Sequence, residues 1–399
     1  MKGTIYMTLI AAMAAMLTAC GDNADKRLRD YLESYTDYDL IPVSGSFRTG
    51  RSYSGYANPQ GERVIEWIED GDNFFPRGIG PFLEGLAYVP GQGFIDKTGA
   101  TVLEIDTSMD GEYRSCHETG FSEGVTMFLN KKARTKTIGF DKEGNELFRV
   151  EGRPIGRMHA GYAMLRDTHD NLFVIDKNGD IVWEPQDEEY MISARSAARP
   201  TTFTVFRHGK IAYIIDLKTQ ERYLEDFYDE LACDELVSPP TIDWNGQVVV
   251  RTKDRKYGVV NLQGEWVIEP EYDDMRNDGS LYMVKQDNLI GWVDKQGKVV
   301  IEPQFEPAAS WVYYNKFCFS FNGSELAYIH ATDGSYFIDR QGKRIYEDVP
   351  GDAVSFRIGD RYLADIRNGI YWMTVPDFEI SEPLDGYTKS VLPDPNYLY

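Results

Sequence analysis

Cysteine is scarce and scattered, four in 399 residues. Cys116, Cys233 and Cys318 form no C-x-x-C pair, so zinc-ribbon and thioredoxin-type sites are excluded. They read as part-buried small apolar residues; the odd count leaves at least one thiol outside any disulfide. The five histidines (His117, His159, His169, His208 and His330) share no ligand spacing, and H-E-x-x-H is missing. No P-loop is present, nor any glycine-rich loop between a strand and a helix. No metal and no cofactor are therefore expected. Positive charge is in short supply: 42 Lys and Arg stand against 64 Asp and Glu, for a formal net charge of -22. That balance argues against nucleic acid and against anionic lipid as direct partners. Long apolar runs are missing too. The one uncharged stretch, Ile5 to Leu17, is too short to span a bilayer.

That stretch has a different reading. It follows Lys2 and ends in Leu17-Thr18-Ala19-Cys20. A single early lysine, a short apolar core and small residues before a cysteine make a signal peptide over residues 1–19. The last four residues resemble the bacterial lipobox, in which the cysteine thiol accepts an acylglycerol and becomes the new N-terminus. Cys20 is accordingly expected to be the lipid attachment site, and the bilayer a partner through it. Several acyl chains would hold a soluble domain on a membrane where one chain is marginal. This places the protein in the bacterial cell envelope, at the outer rather than the inner membrane, facing the periplasm or the cell surface. Residues 20–49 read as a polar tether with a short helix over Lys26 to Tyr35.

What the chain has in quantity is aromatic residues and glycine: 26 Tyr, 20 Phe, 7 Trp and 36 Gly. Aromatics in short segments separated by Gly and Asp favour strands. The segments repeat. An Asp or Asn is followed three positions later by Gly at Asn58/Gly61, Asp96/Gly99, Asp141/Gly144, Asp176/Gly179, Asn261/Gly264, Asp294/Gly297 and Asp339/Gly342, with a worn copy at Asp216/Thr219. The steps run from 33 to 45 residues. Asp or Asn leading a type I turn, then Gly in the left-handed conformation of a G1 bulge, joins two strands into a hairpin. The glycine turns are expected to respond alike to substitution. A second cassette upstream, as in Phe82-Leu-Glu-Gly85 and Phe121-Ser-Glu-Gly124, feeds one more strand. A ninth, degenerate unit is placed around Tyr371 to Glu379.

Eight residues after the leading position stands a glutamate in six copies: Glu66, Glu104, Glu184, Glu269, Glu302 and Glu347. Pro185, Pro270 and Pro303 follow three of them, read as strand stops because proline cannot donate to a ladder. The glutamates could gather cations; as copied features of a repeat, they are better read as structural or water-facing.

The segments "KYGVVNLQGEWVIEPEYDD" (256–274), "IGWVDKQGKVVIEPQFEP" (290–307) and "LAYVPGQGFIDKTGATVLE" (86–104) resemble the WG-repeat family of bacterial proteins. The likeness extends more weakly over about residues 50–375. The namesake Trp-Gly dipeptide is replaced by Tyr257-Gly258, Ile290-Gly291, Gln92-Gly93 and Ile138-Gly139. Most members of the family have no known activity, so the resemblance implies binding rather than chemistry.

Other motifs are weak. "GFSEG", Gly120 to Gly124, matches the hydrolase G-x-S-x-G pattern but coincides with the repeat cassette, and no helical pattern follows. "DKNGD", Asp176 to Asp180, and "DTSMDGE", Asp106 to Glu112, begin like calcium loops but lack their later ligands. The aromatic stretch Ser310 to Phe321 suits a half-buried strand or a stacking surface. Gln186 to Val205 breaks the rhythm and reads as an inserted loop carrying Arg195 and Arg199.

The expected fold is all-β: about eight hairpin-based units over 50–399, arranged as a β-propeller-like toroid, with an open β-solenoid as the alternative. The expected function is non-enzymatic: a membrane-anchored binding or scaffold surface for a protein or other ligand, the partner being a protein or a glycan. The alternative is a cell-surface glycan binder or glycan-active enzyme.

Overall fold

A computed structural model describes residues 26–27, 39–46, 52–58, 62–68, 76, 79–104, 113–115, 119–130, 135–186, 189–192, 198–208, 210–225, 227, 241–308, 319–321, 323–346, 353–358, 361–366 and 369–374. The strands form nine antiparallel sheets in chain order, each a three- or four-stranded meander. They are numbered here sheet 1 (41–68), 2 (82–103), 3 (113–151), 4 (153–183), 5 (189–223), 6 (247–272), 7 (274–305), 8 (326–346) and 9 (353–374). Short antiparallel sheets repeated along the chain are the architecture of successive propeller blades. Three expectations are corrected. The ninth unit, placed around Tyr371 to Glu379, is a full three-stranded sheet among the described residues and begins upstream, at Ala353. The first sheet begins at Ile41, inside the segment read as tether. Gln186 to Val205 is not a plain inserted loop, since strands Glu189–Ile192 and Thr202–Arg207 pair in sheet 5.

The core explains why strands such as Leu86–Val89 and Leu172–Asp176 read as unbroken apolar runs rather than alternating ones. Each such strand is covered on both faces. Phe94 packs toward sheet 3 with Phe121 and Phe128, while its neighbour Ile95 packs toward sheet 1 with Tyr56 and Ile65. Separate clusters fill the successive interfaces, from Tyr56 with Phe82 between sheets 1 and 2 to Trp292 with Phe337 between sheets 7 and 8. Sheets 1 to 8 therefore stack in sequence order.

The repeated turn is built as the sequence demands. At Gly99, Gly144, Gly179, Gly264, Gly297 and Gly342, φ lies between +78° and +85°. Each glycine N–H donates to the carbonyl of the leading residue at 2.9 to 3.1 Å. The leading carboxylate or amide oxygen also accepts the N–H groups two and four residues on. In Asp294 these are Gln296 and Lys298, both at 2.9 Å. Asn261 does the same for Gln263 and Glu265, which is why Asp and Asn interchange. Gly61 lies outside the described residues.

The worn copy is not a turn with Thr219 in the glycine place. It is longer by one residue: the Gln220 N–H donates to the Asp216 carbonyl at 2.7 Å, and Gln220 carries the positive φ of 62°. Two further turns of the same design escaped the sequence reading. Asp243 to Gly246 is a plain Asp-x-x-Gly, with Gly246 at φ 71°, and Asp167 to Asp170 uses Asp170 at φ 68° instead of glycine.

Candidate functional site

The turn glycines also face outward from their own sheets. A Cβ on Gly144 would lie 2.9 Å from Leu103 of sheet 2, and on Gly179 2.5 Å from Phe148 of sheet 3. Equivalent contacts join Gly99 to Ile65, Gly297 to Ile268 and Gly342 to Ile301, at 3.4, 3.2 and 2.9 Å. The apolar residue seven positions after one leading Asp thus seats against the glycine turn of the next sheet. The expectation that the glycine turns respond alike does not follow from this geometry, because the clearances differ.

A second glycine position is tied to the last strand of its sheet in several sheets. In sheet 7, Trp292 pairs with Ile301 and Ile290 with Phe305, so three residues, Glu302 to Gln304, oppose Gly291 alone. A Cβ there would lie 2.5 Å from the Ile301 carbonyl and 2.6 Å from the Pro303 nitrogen. Sheet 6 repeats this at Gly258, opposite Glu269 to Glu271, with 2.6 Å to the Ile268 carbonyl. Pro270 and Pro303 therefore do not stop their strands, which run on to Tyr272 and Phe305. They sit where the bulge leaves the ladder broken, so the missing N–H costs nothing.

Glu66, Glu104, Glu184, Glu269 and Glu302 are exposed, one per sheet, and Glu347 lies outside the described residues. Among the described residues no group of three His, Cys, Asp or Glu is arranged to hold a metal ion. The glutamates face water, and Glu66 accepts from Arg63 of its own strand.

Other carboxylates link one sheet to the next, and spacing along the chain had not shown them. Glu84 and Glu123 head two-residue turns with positive φ, Glu84-Gly85 and Glu123-Gly124. The Glu84 carboxylate accepts the Glu123 and Gly124 N–H groups of sheet 3, the latter at 3.1 Å. Glu123 in turn accepts the Ala160 and Gly161 N–H groups of sheet 4, the latter at 2.8 Å. Lysines from the repeated turn close each link: Lys142 lies 3.0 Å from Glu84, and Lys177 3.1 Å from Glu123. Lys97 and Asp39 make the corresponding pair at 2.8 Å. Backbone donors of a left-handed turn aimed at a carboxylate make a strong, charge-assisted contact. The sequence signal was the recurring Glu-Gly with a lysine after the leading Asp.

The most buried charges lie between sheets 6 and 7. Lys295 and Asp243 approach to 3.0 Å, with side chains 7% and 2% exposed. Tyr282 donates to Asp243 at 2.7 Å, and Lys295 donates to Asn277 at 2.6 Å while lying over the Tyr282 ring. Burial, then the Asp243 charge, pushes the Tyr282 hydroxyl well above its ordinary range. Next to it Asp278 accepts from Trp292 Nε1 at 2.8 Å and Ser320 Oγ at 2.7 Å. A Lys–Asp–Tyr constellation can move protons in an open cleft. Here it is closed by packing and satisfied on every side, so it acts as an inter-sheet clamp.

The remaining candidates are placed as follows. Ser122 Oγ donates to the Met158 carbonyl at 2.6 Å, and strand Thr126–Asn130 follows where a hydrolase has a helix. Asp176 is occupied by its turn, holding Asn178 and Asp180 N–H at 2.8 and 3.0 Å. Phe319 and Phe321, from the aromatic stretch, are fully buried in the core of sheets 7 and 8. Arg199 lies over the Tyr223 ring at 5.7 Å. Cys20, Cys116, Cys233, Cys318, Arg195 and Asp106 to Glu112 lie outside the described residues.

Residues 257–289 and 290–323 match the family model of the WG containing repeat. These two units are WG repeats. They cover the last strands of sheets 6 and 7, with Gly258 and Gly291 in the glycine place of the WG dipeptide. Here the close approach of the bulge demands glycine, while the position before it admits Tyr257 or Ile290. No curated protein matches the chain. Solved structures similar to it include BamB from Moraxella catarrhalis, at 12% identity over 85% of this chain and 92% of that one, TM-score 0.33. The dihydro-heme d1 dehydrogenase NirN in complex with DHE is similar at 13% identity over 89% and 76%, TM-score 0.39. The computationally designed Ika8 protein is similar at 12% over 67% and 86%, TM-score 0.38.

Proposed function

We propose that the protein is a non-enzymatic lipoprotein of the bacterial envelope. Its β-repeat domain serves as a binding or scaffold surface for a partner protein, and Cys20 holds it on the membrane. One observation carries the reading of the domain. The polar groups that the sequence offers for chemistry are engaged within the fold: leading Asp and Asn in turns, Glu84 and Glu123 in inter-sheet links, and Asp243 with Lys295 in a closed clamp. What stays open is a broad, repeated outer surface, which suits recognition by area rather than by a pocket. The anchor is supported by the sequence alone, through Lys2, the apolar run and Leu17-Thr18-Ala19-Cys20. Among the described residues no helix is long and apolar enough to cross a membrane.

Two experiments test this. Globomycin, or Cys20→Ala, should make the precursor accumulate and release the protein from the membrane fraction; a Cys20→Ala protein that still sediments wholly with membrane removes the anchor. Photo-cross-linkers at Asn178, Asp254 and Val300, used in intact cells, should trap a discrete heterologous adduct. Complete silence at all three positions removes the binding reading.

A further inference from the structure

Nine large apolar side chains are exposed among the described residues, and eight lie on the strand that follows a repeated turn. They include Val64, Val102, Leu147, Ile181, Val300 and Ile345, from six different sheets. All eight are 40% to 54% exposed. Each of these strands is the last in its sheet, with one edge unpaired within that sheet. In five sheets the pattern is Val-x-Glu: Val64/Glu66, Val102/Glu104 and Val300/Glu302 with the valine exposed, and Val182/Glu184 and Val267/Glu269 with the valine half-buried against the core. In sheets 1, 6 and 7 the strand runs through the glutamate, and its alternation puts valine and glutamate on one face and turns the residue between them to the other. That middle residue is Ile65, Ile268 or Ile301 in the buried core. A bare preference for β-branched residues accounts for an exposed valine. It does not account for an exposed carboxylate two residues after the valine in five sheets, with the valine itself exposed in sheets 1, 2 and 7.

We propose that these strands form a ladder of half-sites for an extended lysine- or arginine-rich segment of a partner protein. Each cation meets a glutamate, and its alkyl stem lies along the neighbouring valine. A long basic side chain has both parts, an apolar stem and a charged head. The chain displays the chemistry itself, since Arg63 donates to Glu66 on the same strand. The net charge of -22 favours a cationic partner at long range as well. One exposed pair is weak, but successive pairs on a rigid array act through effective concentration. The proposal rests on the binding-surface reading and specifies the partner's chemistry.

The test measures binding of a fluorescent oligolysine peptide to the full chain by anisotropy. Glu104→Gln/Glu269→Gln/Glu302→Gln should weaken binding about tenfold or more. Val102→Thr/Val300→Thr, which keeps shape and charge, should weaken it about threefold. A charge-matched control away from these strands, Glu143→Gln/Asp254→Asn/Glu325→Gln, should change it less than about twofold. Thermal melts confirm that the variants stay folded. An equal loss in the control, or unchanged binding in the valine variant, overturns the ladder, because the contact is then diffuse charge alone. If the ladder fails while the photo-cross-linkers still trap an adduct, the binding reading stands; if both fail, neither does.

Discussion

At the scale of single residues, glycine carries two separate demands, and they can be told apart by substitution. A β-branched residue at φ near +80° costs about 1 to 3 kcal/mol in backbone strain. Overpacking against the preceding sheet adds about 1 to 3 kcal/mol where clearance is short. Gly179→Val should therefore be the most destabilising of the series, since Phe148 lies 2.5 Å from the new Cβ, and Gly99→Val the least, at 3.4 Å from Ile65. Urea melts of Gly99→Val, Gly297→Val, Gly342→Val and Gly179→Val should rank in that order; equal losses would mean that only the turn conformation matters. Gln220→Gly should stabilise by up to about 1 kcal/mol, because it relieves a left-handed residue that is not glycine. The leading carboxylates add a pH dependence. Hydrogen bonds from Asn145 hold Asp141 below the usual carboxylate range, and those from Thr98 do so for Asp96. A depressed pKa in the folded state contributes stability that is present above the unfolded pKa, about 4, and is lost as pH falls through the folded value. Asp141→Asn keeps the Oδ1 acceptor for the turn's N–H groups, as in Asn261, but loses the Oδ2 acceptor of Asn145, so it should lower stability slightly at neutral pH. It should also flatten the acid limb of a stability–pH profile. An unchanged acid limb would mean that Asp141 does not titrate with unfolding.

At the scale of elements, the sheets are joined by contacts that repeat with the chain. Glu123 is the informative one, since it holds two backbone donors of the next turn and receives Lys177. Glu123→Ala should cost about 1 to 3 kcal/mol by leaving those donors without their carboxylate. Glu123→Gln should cost less, because an amide oxygen still accepts. Glu143→Ala, on an exposed turn, should be near neutral. Denaturant midpoints for the three variants decide it, and a silent Glu123→Ala would reduce the link to a surface ion pair. The Glu-Gly cassette was visible in the sequence as a feeder turn. Its partner was not, because a carboxylate and the N–H groups it binds lie about 40 residues apart, Glu84 from Gly124.

At the scale of the whole molecule, sheets 1 to 8 stack in chain order, with interfaces built from aromatic and aliphatic residues. An open stack of nine sheets about 10 Å apart would separate its ends by roughly 80 Å. A toroid brings them together. Energy transfer between dyes on the first and ninth sheets, at Asp39 and Gly369, is expected to be efficient, as closure requires. Transfer absent at distances above about 60 Å would establish the solenoid instead.

The sequence alone determined the all-β class, the turn design and the repeat. Asp or Asn followed by Gly has one cheap local conformation, and it recurs wherever the spacing does. The WG repeats at 257–323 were legible for the same reason. Tertiary structure decided what each repeated residue faces. Nothing local says that Gly179 supports Phe148, that Pro303 sits in a bulge opposite Gly291, or that Lys295 and Asp243 are closed off together. These are contacts between segments distant in the chain, set by how one sheet lies on the next. The same stacking buries both faces of middle strands such as Leu86–Val89 and leaves last strands such as those of sheets 1 and 7 open, which is why Val64 and Glu66, or Val300 and Glu302, end on the outside and the isoleucine between them does not.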